Sequence, residues 1–502
     1  MSLYQPIKRL VKHSAVYGLG HVLSRSVGFL LLPLYTNIFS TDGFGVAGLA
    51  MTWLTILTLL YSYGLDAGFM RFYILASQER ERRAIFTTAT LALSCTSLIF
   101  SLLLGLLAPH LVTLFFGAGA RGTGIDLVLL IRLLAGILFC DTAAFIPLLL
   151  LRAEEKSWLY VLIKVGSALV LLAANLYCIL AAGMGVEGIF IANLVSSALT
   201  LAAALGVLLH SGAGRLSRDW LKQLLRFGLP FLPTGLAIAL LDSADRLMLE
   251  RLDSVAAAGL YNAGAKVGMI MGLLVAAFRF AWQPYFLATS RENEAKKIFS
   301  RILTWMLAAC LALFLLMSLF VDELLRLRID GYTFFGSAFW ESSRVVPLIM
   351  LASLFYALYL IFEAALYLEK KSGLIALVTL AGVAVNLAVN FWLIPLYGPL
   401  GSAWARAIAY AGMALGLYGF AQRYYPIPYE WLRILRLVLC SAAVFGLAML
   451  PALRSSTVLR AFLLASWPLL LWGSGFFRSS AGEKSGFLSQ KLRKLVADRR
   501  AG

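Results

Sequence analysis

Nine basic residues sit inside long apolar runs of this chain: Arg25, Arg132, Lys164, Arg246, Lys266, Arg279, Arg344, Arg406 and Arg460. Five acids share those runs: Asp66, Asp141, Asp242, Asp245 and Glu363. A charge at the centre of a helix in hydrocarbon costs about 2.5–3.5 kcal/mol on insertion scales. Nine cations facing lipid would cost more than roughly 20 kcal/mol, beyond the stability of a typical domain. They must snorkel, pair, or line a wet cavity. Lys164, Arg344 and Arg460 fall near the ends of their runs, where a long stem carries the charged head to the interface. If every acid neutralises one cation, nine against five leaves four positive charges. A cavity with that surplus favours an anion such as phosphate, pyrophosphate or an acidic sugar. The basic set for such a cavity is Arg25, Lys266, Arg132, Arg246 and Arg279, with His21 one turn before Arg25 on the same helical face. The alternative for Arg25 is a buried guanidinium bonded to carbonyls of a neighbouring helix; Arg279 could instead mark the inner membrane surface.

A second group has oxygen-ligand chemistry. Asp242, Asp245 and Arg246 share a helical face by i,i+3 and i,i+4 spacing. One reading is a local ion pair between Asp242 and Arg246, leaving Asp245 as the spare carboxylate. Asn386 and Asn390 are also four apart, and asparagines in membrane helices commonly bond across helices. Alternatively, one carboxylate with amide oxygens suits a hard monovalent cation or a proton relay. Glu363 is a further acid at membrane depth for such coupling. No catalytic constellation appears. The four histidines (His13, His21, His110, His210) are scattered, and no Walker or dinucleotide loop is present. The chain is expected not to be an enzyme and to need no cofactor beyond Na+ or H+ coupling.

The elements that position these groups follow from composition. Of 502 residues, 61% are hydrophobic and 14% charged, against about 25% charged in a soluble protein. That excess of apolar side chains cannot be hidden in a water-soluble core, so an all-α polytopic membrane protein is expected. The formal charge of +18 then reflects basic cytoplasmic loops rather than nucleic-acid binding. All five cysteines lie in apolar stretches, spaced too widely for a metal motif. With about 20 apolar residues per crossing, fourteen spans are expected near 15–38, 44–65, 85–107, 126–151, 158–181, 186–209, 228–250, 256–280, 299–320, 344–368, 373–395, 400–421, 433–450 and 457–477. The stretch from Pro109 to Gly124 falls between the third and fourth of these runs and is the least well marked by hydropathy. Of the 43 lysines and arginines, 29 fall on one side of these spans and five on the other. That asymmetry places both termini in the cytoplasm. The basic tail from Lys484 to Arg500 is either solvated or rests on anionic lipids.

Self-comparison shows the chain built twice. Lys8-Arg9-Leu10-Val11-Lys12 matches Lys222-Gln223-Leu224-Leu225-Arg226 at an offset of 214, as Ser40 matches Ser254, Gly45 matches Gly259 and Phe72 matches Phe286. Lys156-Ser157 matches Lys371-Ser372 and Asn175 matches Asn390 at 215, and Gly185-x-x-Gly188 matches Gly398-x-x-Gly401. Each unit holds six spans, so both start on the same side of the membrane and are parallel repeats, a transporter plan with the substrate path between the halves. The expected division is an N-lobe over 1–210, a C-lobe over 211–425, and two extra helices with the basic tail over 426–502.

Leu30-Leu31-Leu32-Pro33-Leu34-Tyr35-Thr36, Gly43-Phe44-Gly45 and Gly64-Leu65-x-x-Gly68-x-x-Arg71-Phe72-Tyr73, in that order, resemble the polysaccharide transporter (Wzx-type) flippases. Arg152-Ala153-Glu154-Glu155-Lys156 and Leu368-Glu369-Lys370-Lys371-Ser372 are similar to the same family, part of the multidrug/oligosaccharidyl-lipid/polysaccharide exporter superfamily. The resemblance covers spans one to twelve. It implies two six-helix lobes around a V-shaped alternating-access cavity, moving a polyprenyl-diphosphate-linked oligosaccharide (an O-antigen or exopolysaccharide repeat unit) across the bacterial inner membrane. It also implies membrane lipids, a glycan polymerase and a chain-length regulator as partners, and no nucleic acid. By similarity of position to the related peptidoglycan lipid flippase, Arg25 and Lys266 would contact the diphosphate. Asp242, Asn386 and Asn390 would form a sodium site, with Asn390 in place of a carboxylate. The other readings are a multidrug/cation antiporter of that superfamily, which needs a net acidic pocket, and a membrane-embedded glycan polymerase or ligase, which generally has a large external catalytic loop.

Overall fold

The computed structural model describes residues 30–477, apart from 155, 213, 291–293, 330–331, 370 and 455. Arg25, His21 and the basic tail lie outside the described residues. The first set of helices is α1 (Leu32–Ile38), α2 (Thr41–Ser62), α3 (Leu65–Leu75), α4 (Glu79–Phe116), α5 (Leu127–Ala153), α6 (Ser157–Leu176) and α7 (Val186–Ser211). A linking helix, α8 (Arg218–Gly228), precedes the second set. This comprises α9 (Phe231–Leu252), α10 (Val255–Thr289), α11 (Ala295–Arg326), α12 (Val346–Leu368), α13 (Ser372–Tyr397) and α14 (Pro399–Tyr424). The chain continues through α15 (Trp431–Ala448), the short α16 (Pro451–Arg454) and α17 (Thr457–Gly473).

Among the described residues, ten helices are long and apolar enough to cross a membrane. α9 and α14 occupy two further expected spans but are more polar, carrying Asp242, Asp245 and Arg246 in one and Ser402, Arg406 and Tyr410 in the other. α17 is shorter, and most of the first expected span lies outside the described residues.

The packing repeats with the sequence. α4 packs on α5, α5 on α7 and α6 on α7, and in the second set α11 packs on α12, α12 on α14 and α13 on α14. Small hydroxyl residues hold the peripheral helices where hydrophobicity alone cannot distinguish lipid from protein. Ser167 Oγ lies 2.7 Å from Thr200 Oγ1 between α6 and α7, and Tyr359 Oη lies 3.0 Å from Thr379 Oγ1 between α12 and α13.

The two lobes meet through the repeat itself. Ser40 and Ser254 cap α2 and α10 in the same way, each side chain accepting a backbone N–H three residues on at 3.1 Å. These two helices then cross at glycine. A Cβ at Gly45 would lie 2.1 Å from the Val255 carbonyl oxygen, and a Cβ at Gly259 would lie 2.1 Å from that of Thr41. Thr41 and Val255 are themselves 214 apart, so the contact is reciprocal about a pseudo-two-fold axis. Backbones approach this closely only where side chains are absent.

At the other end of α2, Gly64 (φ +74°) turns the chain into α3, and its backbone abuts that of Gly228 at the end of α8. α8 is amphipathic: Leu224 is buried, while Arg218, Asp219, Lys222 and Gln223 supply the polar positions. The connection before it is pinned to α4 by Gly214 N–H donating to Thr87 Oγ1 and Ser217 N–H to Thr88 Oγ1. The Arg71 guanidinium sits 4.5 Å from the Phe227 ring centroid.

Two expectations require correction. The third span does not end before Pro109: α4 runs 38 residues through it, about 57 Å at 1.5 Å per residue, with Phe115 and Phe116 buried beyond the proline. Nor does Arg460 snorkel. It is 7% exposed and donates to the Glu323 carboxylate and the Leu319 carbonyl. α11 extends to Arg326 and so carries Glu323 to meet it, fastening α17 to the second lobe.

Candidate functional site

Beyond the Gly45–Gly259 crossing, α2 and α10 separate around a cavity of about 140 Å³. α1 contributes Tyr35, and α2 contributes Phe44, Ala47, Gly48, Met51 and Thr55. The second lobe contributes Arg246, Asn262 and Lys266. Gly48 and Asn262 are again repeat mates, and they touch: a Cβ on Gly48 would lie 2.7 Å from Asn262 Nδ2. The repeat mate of Lys266 is Thr52, so the near-symmetric scaffold places a cation on one side only. Lys266 Nζ lies 5.3 Å from the Phe44 ring centroid and 5.7 Å from that of Tyr35, within the range where an aromatic face attracts a cation. Tyr35 is fixed in turn by its hydroxyl donating to Asn175 Oδ1 at 2.7 Å. Arg246 reaches across the lobe boundary, its Nη1 3.4 Å from Thr52 Oγ1. No acid is among the described residues that line this cavity.

Asp245, adjacent to Arg246, turns the other way, since successive helical residues point about 100° apart. It is fully buried inside the second lobe. Its Oδ1 accepts from Asn390 Nδ2 at 3.0 Å and Asn386 Nδ2 at 3.4 Å; its Oδ2 accepts from the Tyr261 hydroxyl at 2.6 Å. Arg406 Nε lies 2.8 Å from the same Oδ2, an ion pair whose N–H is not aligned as a hydrogen bond. Ser402 Oγ donates to Asn390 Oδ1 at 2.8 Å. Of the two readings of this group, Asp245 is thus not a spare carboxylate: among the described side chains it joins the asparagine pair. Asp242 lies one turn earlier on α9, and its side chain is outside the described part.

Of the basic set, the structure brings Lys266 and Arg246 together. Arg132 is exposed on α5 and does not line the cavity. Arg279 is exposed lower on α10, donates to Tyr356 Oη at 3.0 Å and lies within electrostatic reach of Glu363; neither lines the cavity. Sequence reasoning missed Tyr35, Asn262, Tyr261 and the pairing of Arg406. The Asn175–Asn390 match is the available signal: both asparagines are fully buried, Asn175 holding Tyr35 and Asn390 joining the Asp245 cluster.

Comparison with known structures identifies the fold. The chain aligns with a structure described as lipid II flippase MurJ in an inward closed conformation, with TM-score 0.74, 14% identity, and coverage of 95% of this chain and 100% of that one. Inward-facing and outward-facing multidrug resistance MATE family transporters of the MOP superfamily align with TM-scores of 0.61 and 0.55, each at 15% identity. They cover 80% and 83% of this chain and 94% and 95% of their own. No curated protein sequence matches significantly. A family profile described as polysaccharide biosynthesis protein matches residues 10–290, more than half of the sequence. With a two-lobed membrane fold and a cationic cavity on its pseudo-symmetry axis, the chain belongs to the polysaccharide biosynthesis protein family.

Proposed function

We propose that this protein carries a polyprenyl-diphosphate-linked oligosaccharide across the inner membrane by alternating closure of its two lobes. The observation that carries this reading is the inter-lobe cavity, where Lys266 and Arg246 converge with no acid among the described lining residues. In low dielectric, such a site attracts an anion and repels the cationic drugs that an antiporter would carry. Arg246 supplies a planar fork of donors suited to phosphate, and Lys266 a point charge. At about 140 Å³ the cavity is well below the roughly 300–1,000 Å³ of ligand pockets, so the described state is a closed one. Loading requires α2 and α10 to part from their glycine contact or α3 to part from α8. A largely apolar groove between α10 and α11, lined by Phe278, Ile302, Trp305 and Met306 with Arg301 among them, offers a path along which the lipid tail stays in hydrocarbon. Both termini lie in the cytoplasm in this reading, and a polymerase with its chain-length regulator consumes the product outside. Reconstituted protein should move a fluorescent polyprenyl-diphosphate sugar between leaflets, and Lys266→Gln should lose most of that activity. Equal rates in wild type and Lys266→Gln would refute the assignment.

A further inference from the structure

We propose that Arg406 is a built-in counter-ion to Asp245, a tethered guanidinium in place of an exchangeable monovalent cation, and that this cluster takes up no sodium. A carboxylate with a pair of amides four residues apart is the donor set that sequence alone marks for a hard cation. The structure gives that set a different partner. Asp245 is fully buried, and a buried carboxylate must be compensated. Among the described side chains its charge is met by Arg406, whose side chain is 14% exposed, at 2.8 Å.

The oxygens are committed as well. Both carboxylate oxygens accept from Tyr261, Asn386 and Asn390. Asn390 Oδ1 accepts from Ser402, and Asn386 Oδ1 accepts from Asn390 Nδ2 at 3.1 Å. Amide N–H groups, the wrong pole for a cation, face the carboxylate. A sodium ion added to the Asp245–Arg406 pair would bring a net positive charge among fully buried Tyr261, Asn386, Asn390 and Ser402. Such a charge is strongly disfavoured in a low-dielectric interior. The cluster also has a mechanical consequence. It joins α9, α10, α13 and α14 by side chains alone, so these four helices of the second lobe are tied together whether or not an ion gradient exists. The inference does not depend on what the inter-lobe cavity carries.

The test compares the thermal unfolding of the full-length purified protein in sodium chloride and in choline chloride at equal ionic strength, alongside equilibrium binding of radioactive sodium. Wild type should show the same melting temperature in both salts and no saturable sodium binding. Arg406→Ala leaves Asp245 without its cation; it should melt lower in choline chloride and regain stability with sodium in a saturable manner. Arg406→Lys, which keeps the charge, should remain insensitive to sodium. Should Arg406→Ala fail to fold, the double variant Asp245→Asn/Arg406→Gln removes both charges and should recover folded, sodium-insensitive protein. Sodium-specific stabilisation of wild type would overturn the proposal. So would an Arg406→Ala protein as stable as wild type in choline chloride, or a double variant that does not recover folding.

Discussion

The reciprocal glycine contact between the lobes makes a quantitative prediction. A methyl group at position 45 would sit 2.1 Å from the Val255 carbonyl oxygen and 2.9 Å from its Cγ1. Carbon–oxygen contacts settle near 3.3 Å, so Gly45→Ala forces α2 and α10 apart by about 1.2 Å where they cross. Overpacking of this kind costs about 1–3 kcal/mol, which displaces a two-state equilibrium by roughly 5–150-fold. The cost falls on the states in which α2 and α10 make this contact and spares the one in which they part. Gly259→Ala should act equally, its methyl 2.1 Å from the Thr41 oxygen. One separation relieves both clashes, so the double variant should cost clearly less than the sum of the two singles. Spin labels on Cys introduced at Asp42 and Ala256 in a cysteine-free background would report the opening as a distance distribution. A longer-distance population should grow in each variant. Gly105→Ala is the control, since its Cβ would meet nothing within 4 Å. Unchanged distributions in both glycine variants, or strict additivity, would refute the closed-gate reading of this contact.

Further expectations follow from the same geometry. Asn175→Leu removes the acceptor that fixes Tyr35 at 2.7 Å and should lower the affinity for lipid-linked substrate more than it lowers the amount of folded protein, measured by ligand binding against detergent-solubilised yield. Arg460→Ala should destabilise by about 2–3 kcal/mol, below the roughly 3–5 typical of a fully buried pair because the Glu323 side chain is 35% exposed; thermal melting checks this, and Glu323→Gln should give a smaller loss. Gly228→Val drives a side chain into the Gly64 backbone, whose oxygen would be 2.4 Å from the new Cβ. It should release α8 from α3 and raise protease cleavage between residues 212 and 217.

The architecture was legible because hydropathy and repeats are local or periodic signals. Apolar run lengths and the 214-residue offset outline the helices, and the same offset marks Ser40 with Ser254 and Gly45 with Gly259 as mates. Sequence could not show that mates touch, because an offset carries no distance. The same limit explains the assignment on α9. Asp242 and Asp245 share a face by spacing, and only the fold reveals that α13 and α14 bring Asn386, Asn390 and Arg406 to Asp245. Arg406 was visible as a cation at membrane depth, but its partner is 161 positions away. Arg460 reads as a snorkelling residue because the ninth apolar run ends near 320, whereas α11 stays helical through Arg326 and brings Glu323 to it. Arg132 and Arg279 carried the same charge signal as Lys266, yet charge does not say which way a helix faces.

In the proposed function the cationic cavity between the lobes receives the diphosphate. An experimental structure of the protein with a polyprenyl-diphosphate sugar tests it most directly. Phosphate oxygens should lie within about 2.7–2.9 Å of Lys266 Nζ and the Arg246 guanidinium, with the lobes parted around them. A headgroup bound elsewhere, with Lys266 still packed against Phe44 and Tyr35, would contradict it.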